Sequence, residues 1–233
     1  MSDEEVPILP DQVPGAPHPR ETVRLIGQAA AEAAFLAAWG EGRLHHAWLL
    51  RGPEGIGKAT LAYRIARAIL AEGPGEDPGL FGGPTVPETL EVPAHCPIGA
   101  RIRAGSEPRL SVLRLGLNER TGKPRAQIVV DDVRAVKSFL QLSAADGGWR
   151  AVIIDPGDAL NRSAANAILK FLEEPPARTL ILLVSHAPGG LLPTIRSRCR
   201  TLDLAPLGAQ DLSAALAQAG VEIDAREAPA MAE

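Results

Sequence analysis

The sequence contains very few cysteine and aromatic residues. Its 233 residues include 2 cysteines, Cys96 and Cys199, which are too few for a disulfide framework and, alone, for a structural zinc site. We therefore expect two free thiols and no zinc. Aromatic residues make up 3% of the chain and hydrophobic residues 45%. Because Ala, Leu, Gly and Pro dominate, the composition favours a helix-rich α/β protein over a β-sandwich.

The chain also lacks an excess of basic charge and a long hydrophobic run. Its formal net charge of −4 gives no basic surface of the kind that strong autonomous DNA or RNA binding needs. Any contact with nucleic acid would be local or shared with partners. No apolar segment approaches the roughly 20 residues that cross a bilayer, and the acidic N-terminus lacks the layout of a signal peptide. These features predict a cytoplasmic protein without a membrane partner.

A phosphate-binding loop is present with one substitution. The pattern G-x-x-x-x-G-K-[ST] predicts a nucleotide site built from Gly52, Pro53, Glu54, Gly55, Ile56, Gly57, Lys58, Ala59 and Thr60. An apolar run at residues 47–50 precedes it and a helical period follows it, as the motif requires. Ala59, however, stands where a hydroxyl should coordinate Mg²⁺. ATP is thus the candidate ligand without a complete metal site, and a glycine-rich turn with no ligand is the alternative.

The second half of such a site is also incomplete. Residues 151–155 form an apolar run typical of a buried parallel strand, and its last residue, Asp155, is placed to hold Mg²⁺ through water. The acid that usually follows is replaced by Pro156. Asp158 could orient water only if the turn aimed it back; otherwise it is a turn or helix-capping residue. Nucleotide binding is therefore expected to survive better than hydrolysis.

Strands and helices are predicted to alternate, which indicates a parallel sheet with helices on both faces. We predict strands at residues 110–115, 127–130, 151–155, 179–185 and 201–204. Predicted helices span residues 28–39, a segment capped by Asp131 or Asp132, residues 162–173 and residues 209–219. Glycine and proline mark residues 72–93 as a long loop. Ser185 and His186 end a strand and could bind phosphate, although such polar pairs also occur without a ligand.

Four segments carry a resemblance to one family. They are residues 25–28 (L-I-G-Q), 45–50 (H-H-A-W-L-L), 166–176 (N-A-I-L-K-F-L-E-E-P-P) and 191–199 (L-L-P-T-I-R-S-R-C). In this order they resemble the AAA+ subunits of the bacterial DNA polymerase III clamp loader. The resemblance covers about residues 20–207, and L-E-E-P-P and S-R-C are more specific than the phosphate loop.

The resemblance implies an organisation in three parts. A P-loop AAA+ core would span residues 20–206, after a flexible arm at residues 1–19 and before the start of a small helical lid at 207–233. The family's C-terminal collar domain is absent from this sequence. Residues 72–109 correspond to the family's four-cysteine zinc module, but only Cys96 remains and Gly99 stands where its partner is expected. The segment 94–104 is expected to keep a helical shape.

The resemblance also implies a function. In S-R-C, Arg198 would be an arginine finger that reaches the ATP of a neighbouring subunit; the alternative is a surface arginine paired with a carboxylate. The expected role is a non-motor clamp-loader subunit whose partners are gamma/tau and delta subunits and, through the complex, the sliding clamp and primed DNA. The alternative is an active gamma/tau-like ATPase using Thr60 for Mg²⁺, although one residue turns a helical side chain by about 100°. A small-molecule kinase would leave S-R-C unexplained.

Overall fold

A five-stranded parallel sheet forms the centre of the fold. In the computed structural model, residues 12, 16–22, 24–42, 44–72, 87–118, 120–141 and 147–220 are described. The sheet has the strand order β2-β3-β4-β1-β5, and every pair is parallel. Its strands are β1 (Ala47–Arg51), β2 (Leu110–Arg114), β3 (Arg150–Asp155), β4 (Thr179–Ser185) and β5 (Arg200–Asp203).

Helices cover both faces of this sheet. They are α1 (Ala29–Gly40), α2 (Lys58–Ala71), α3 (Pro97–Ala104), α4 (Val130–Gln141), α5 (Arg162–Glu173), α6 (Pro193–Arg196) and α7 (Ala209–Gln218). One core contains buried residues of α1, α2 and α3, and the other contains buried residues of α4, α5 and α6. Alternate residues of β3 and β4 enter the two cores, so these strands are buried along their whole length and require apolar runs rather than alternation.

One predicted strand is wrong. Residues 127–130 do not form a strand; Ile128 makes an isolated bridge to Leu160, and α4 begins at Val130. The reason lies in the start of the helix. The Asp132 carboxylate accepts a hydrogen bond of 2.9 Å from the backbone N–H of Val129 and pairs with Arg125. Asp131 and Asp132 were predicted to cap this helix, but both lie within its first turn; Asp132, the third helical residue, instead satisfies a free N–H at the helix start by this return bond.

The N-terminal segment packs against the core from an earlier residue than predicted. The flexible arm was expected to include residue 19, but His18 is 1% exposed and makes an edge-to-face contact with Tyr63 of α2. The arm therefore does not extend through residues 16–19, while residues 1–11 and 13–15 lie outside the described part of the chain. Residues 73–86 of the predicted loop and residues 221–233 of the predicted lid also lie outside it. The lid assignment stays a prediction.

Candidate functional site

A cavity of about 420 Å³ lies beside the loop that joins β1 to α2. The cavity is lined by residues 54–57 of the loop and 58–60 at the start of α2, together with Asp155 at the end of β3, Pro156, and His186 after β4. Most of the remaining wall comes from the N-terminal segment and from α7, with Leu115, Val184 and Leu207 completing it. Of the predicted site residues, Gly52, Pro53 and Ser185 shape this region without lining the cavity. The carboxyl ends of parallel strands and a helix N-terminus thus meet at one opening, the usual place for a ligand in this architecture.

Two glycines are required by the shape of the loop. Gly52 has a φ of +147°, and a Cβ there would lie 2.5 Å from the carbonyl oxygen of Leu204. Gly57 has a φ of +95°, and a Cβ there would lie 2.7 Å from Leu25 Cδ1. Both conformations are ones that glycine adopts at little cost. The phosphate-loop motif has glycines at these two positions because the chain must make a tight turn there into α2.

Lys58 is held by the loop itself. It is 3% exposed, and its Nζ donates to the carbonyl of Gly52 at 2.7 Å and to that of Pro53. Burial lowers the pKa of Lys58, although the carboxylates of Asp155, Glu54 and Asp158 oppose this. A phosphate in the loop would offer the ammonium a charged acceptor in place of the two carbonyls, and charge-assisted hydrogen bonds are the stronger ones.

A buried glutamine braces the same loop from outside. Gln28, at 4% exposure, donates from Nε2 to the carbonyl of Ile56 at 3.1 Å and to that of Ala205 at 2.8 Å. It therefore joins the phosphate loop to the chain that follows β5. Gln28 belongs to one of the four family segments, but the sequence gives no sign of this role, because both of its acceptors are distant along the chain.

Asp158 does not point at the cavity. Its Oδ1 accepts the hydroxyl of Ser185 at 2.7 Å, and its Oδ2 accepts the N–H groups of His186 at 2.5 Å and Ala187 at 3.2 Å. Asp158 thus fixes the end of β4, which fits the predicted turn or capping role better than water orientation. The Ser185 hydroxyl is engaged by this carboxylate. Burial, with the charge of Lys58, lowers the pKa of His186, so its imidazole is neutral at pH 7.

Arg198 lies on the short connection between α6 and β5, outside the cavity lining. Its Nη2 is 2.9 Å from Oε1 of Glu173 at the end of α5, and its Nη1 donates to the carbonyl of Thr194 at 3.0 Å. The Arg198 side chain is 36% exposed and that of Glu173 49% exposed. In the isolated chain Arg198 therefore makes a surface ion pair with a carboxylate, which is the alternative role predicted for it.

Cys199 anchors the segment that carries Arg198. It packs against the second core, and burial raises the pKa of its thiol to about 12. At pH 8 only about 10⁻⁴ of this thiol would be thiolate, the form that reacts. We expect iodoacetamide at pH 8 to modify Cys96 first and to leave Cys199 unmodified until the protein is denatured, as measured by peptide mass spectrometry. Labelling of native Cys199 at the denatured rate would contradict this burial.

The described parts of the chain contain no group of three or more His, Cys, Asp or Glu side chains arranged to hold a metal ion. Cys96 stands before α3 without a cysteine or histidine cluster around it, and α3 covers most of the segment that was expected to stay helical. None of the helices described is long and apolar enough to cross a membrane.

The chain is similar to known replication proteins. It is 41% identical over 154 residues to DNA polymerase III subunit delta′ of Pseudomonas aeruginosa, a match covering 66% of this chain and 41% of that protein. It is 34% identical to DNA polymerase III subunit delta′ of Escherichia coli, and this match covers 74% of this chain and 46% of that protein. It is 29% identical to DNA polymerase III subunit gamma/tau of Mycobacterium tuberculosis, and this match covers 88% of this chain and 33% of that protein. The chain thus spans less than half the length of these curated relatives.

Fold and family agree with the resemblance seen in the sequence. The RuvB Holliday junction branch migration motor of Thermotoga maritima, 20% identical, aligns with a TM-score of 0.50 over 92% of this chain and 59% of that chain. This likeness concerns the fold, which is that of an AAA+ core. A family model described as "DNA polymerase III, delta subunit" matches residues 27–208. Because the model covers most of the sequence, the chain belongs to the DNA polymerase III delta-subunit family.

Proposed function

We propose that this chain is a clamp-loader subunit that does not hydrolyse ATP and that supplies Arg198 to the ATP site of a neighbouring subunit. Its partners would be the gamma/tau and delta subunits, with the sliding clamp and primed DNA engaged through the complex. The observation that carries the proposal is the pair Ala59 and Pro156. Both line the cavity, and neither side chain has an oxygen to coordinate metal or orient water, the two functions that separate hydrolysis from binding.

The weak surface ion pair of Arg198 supports its proposed role as an arginine finger. An ion pair between two partly exposed side chains is worth about 0–1 kcal/mol, so the guanidinium can exchange Glu173 for a more strongly charged acceptor at low cost. Its planar donors suit the charge that spreads over the γ-phosphate oxygens. A finger supplied by a second chain would make hydrolysis depend on assembly.

The cavity itself supports nucleotide binding without a metal. Lys58 and the backbone N–H groups at the start of α2 are positioned for phosphates. We expect the purified chain to show no ATP turnover. We also expect its affinity for ATP, measured by fluorescence with a labelled analogue, to stay within about two-fold when EDTA replaces Mg²⁺, because Ala59 supplies no hydroxyl at the position that coordinates the ion. Lys58→Ala should remove this binding.

A gamma/tau-like ATPase is the alternative, and one observation favours it. Thr60 lines the cavity along with Ala59, although its position one residue further on the helix predicted that it would point away. The same experiment separates the two functions. Turnover that Lys58→Ala abolishes and Thr60→Val strongly reduces would establish the alternative and overturn the non-motor proposal.

A further inference from the structure

Three arginines converge where the N-terminal segment, α2 and α3 meet; we call Arg20, Arg67 and Arg103 the arginine cluster. Arg67 Nη2 donates to the backbone carbonyl of Arg20 at 2.9 Å. A Cβ placed on Gly99 would be 3.7 Å from both Arg103 Nη1 and Arg67 Cδ, and one placed on Gly105 would be 2.9 Å from Arg20 Nη1. The side chains thus meet across the α2–α3 surface.

The cluster contains buried donors that lack acceptors. Arg67 is 3% exposed, and its Nε is enclosed without a hydrogen-bond partner, as is the Nε of Arg20. Glu21 comes within 3.9 Å of Arg20 Nε, which is beyond hydrogen-bonding distance. Within the described residues, Arg67 and Arg103 form no ion pair with a carboxylate. Among the described residues, the positive charges of Arg67 and Arg103 are therefore not neutralised by a carboxylate.

Neighbouring arginines on the same surface show a different arrangement. Arg64 pairs with Glu32 at 2.7 Å, and Glu107 pairs with Arg101 at 2.8 Å and with Arg109 at 3.1 Å. Burial of a charge is strongly unfavourable unless the charge is paired. Burial and the charge of Arg103, with a further contribution from Arg64, lower the pKa of Arg67. An arginine nevertheless stays charged in proteins, so this site favours an anion.

We propose that the arginine cluster binds a phosphate group. Guanidinium forks bind phosphate oxygens bidentately, and a tetrahedral anion can meet forks that approach from three different elements. A carboxylate has two oxygens in one plane and would engage fewer of them. The site is separate from the phosphate loop, because Arg67 follows Lys58 by about 13 Å along α2 and none of the three arginines lines the cavity.

Two sources of phosphate share this chemistry, a free phosphate ion and the backbone of a nucleic-acid strand. The net charge of −4 gives little general attraction to nucleic acid, so a strand would be held by one or two phosphates at the cluster. The experiment therefore carries one arm for each source.

The test uses Lys58→Ala as the parent, so that the phosphate loop does not contribute. Inorganic phosphate is titrated calorimetrically, and a short fluorescein-labelled single-stranded oligonucleotide is titrated by anisotropy. We expect Arg103→Gln to raise the dissociation constant for phosphate at least ten-fold. The matched control is Arg134→Gln on α4, whose side chain is 72% exposed and pairs with Asp131, and it should change the constant by less than two-fold.

Each result decides the matter. Weakening of both ligands by Arg103→Gln identifies a nucleic-acid backbone as a source, and weakening of phosphate alone identifies the free ion. Equal binding by the parent and Arg103→Gln, or absence of saturable phosphate and oligonucleotide binding by the parent, overturns the proposal. Should Arg103→Gln not fold, Arg20→Gln replaces it, because the carbonyl of Arg20 rather than its side chain contacts Arg67.

Discussion

Arg198→Ala is expected to lower the DNA- and clamp-stimulated ATPase rate of a reconstituted clamp loader containing this subunit by ten-fold or more. Loss of an arginine finger removes a charge that is matched to the γ-phosphate only in the transition state, so the effect falls on kcat. The rate is measured at saturating ATP, primed DNA and clamp. Assembly of the variant complex is checked by gel filtration, since a subunit that dissociates would lower the rate without any role in catalysis.

Glu173→Gln provides the control that separates a finger from a structural ion pair. This substitution removes the charge that holds Arg198 in the isolated chain, at 2.9 Å from its guanidinium, and leaves the arginine in place. If Arg198 acts on a neighbour's ATP, Glu173→Gln should keep the rate within about two-fold of the wild type, because the pair is partly exposed and weak. If both variants lose activity equally, Arg198 acts through its contact with α5, and the finger proposal fails.

Arg200→Ala is a second control for charge on the same segment. Arg200 lies two residues further on β5, with its guanidinium 5.1 Å from the ring centre of Trp48. Its loss removes a positive charge near Arg198 without removing the proposed finger. We therefore expect a small change in rate, and a large one would indicate that general electrostatics of this edge, rather than one guanidinium, set the activity.

The parts of the fold that sequence predicted well are those buried on both faces. β3 and β4 appear in the sequence as unbroken apolar runs because helices cover each side of the sheet. The failed strand at residues 127–130 shows the opposite case. Its β-branched residues favour an extended chain, but the outcome depends on Asp132 closing back on Val129, a contact whose strength the apolar pattern does not reveal.

In the candidate site, too, the sequence predicts some residues well and misses others. The glycines and Lys58 belong to a short motif whose geometry is local, so sequence could place them. The contacts of Gln28 with Ala205 and of Asp158 with Ser185 join residues far apart along the chain, and no local pattern encodes them. The same holds for the arginine cluster, in which the burial of Arg67 depends on the covering of α2 by the N-terminal segment and α3. These long-range polar contacts are where the structure adds to the sequence.

Asp158→Ala is expected to lower the free energy of unfolding by about 2–4 kcal/mol. The carboxylate accepts from one hydroxyl and two backbone N–H groups at the end of β4, and a hydrogen bond to a charged group contributes about 1.5–3 kcal/mol. Contributions from a shared carboxylate are not additive, which sets the upper limit below the sum. The change is measured by urea denaturation followed by circular dichroism.

Ser185→Ala is the matched control for this prediction. Ser185 is fully buried, and its removal deletes the hydroxyl bond alone, so a loss of about 1.5 kcal/mol, the lower end of the range for a bond to a charged group, is expected. The difference between the variants then measures the two backbone bonds that position His186 and Ala187. An Asp158→Ala variant no less stable than Ser185→Ala would show that these bonds contribute little. Asp158 would then be free to move toward the cavity and orient water beside Pro156, which would favour the ATPase alternative.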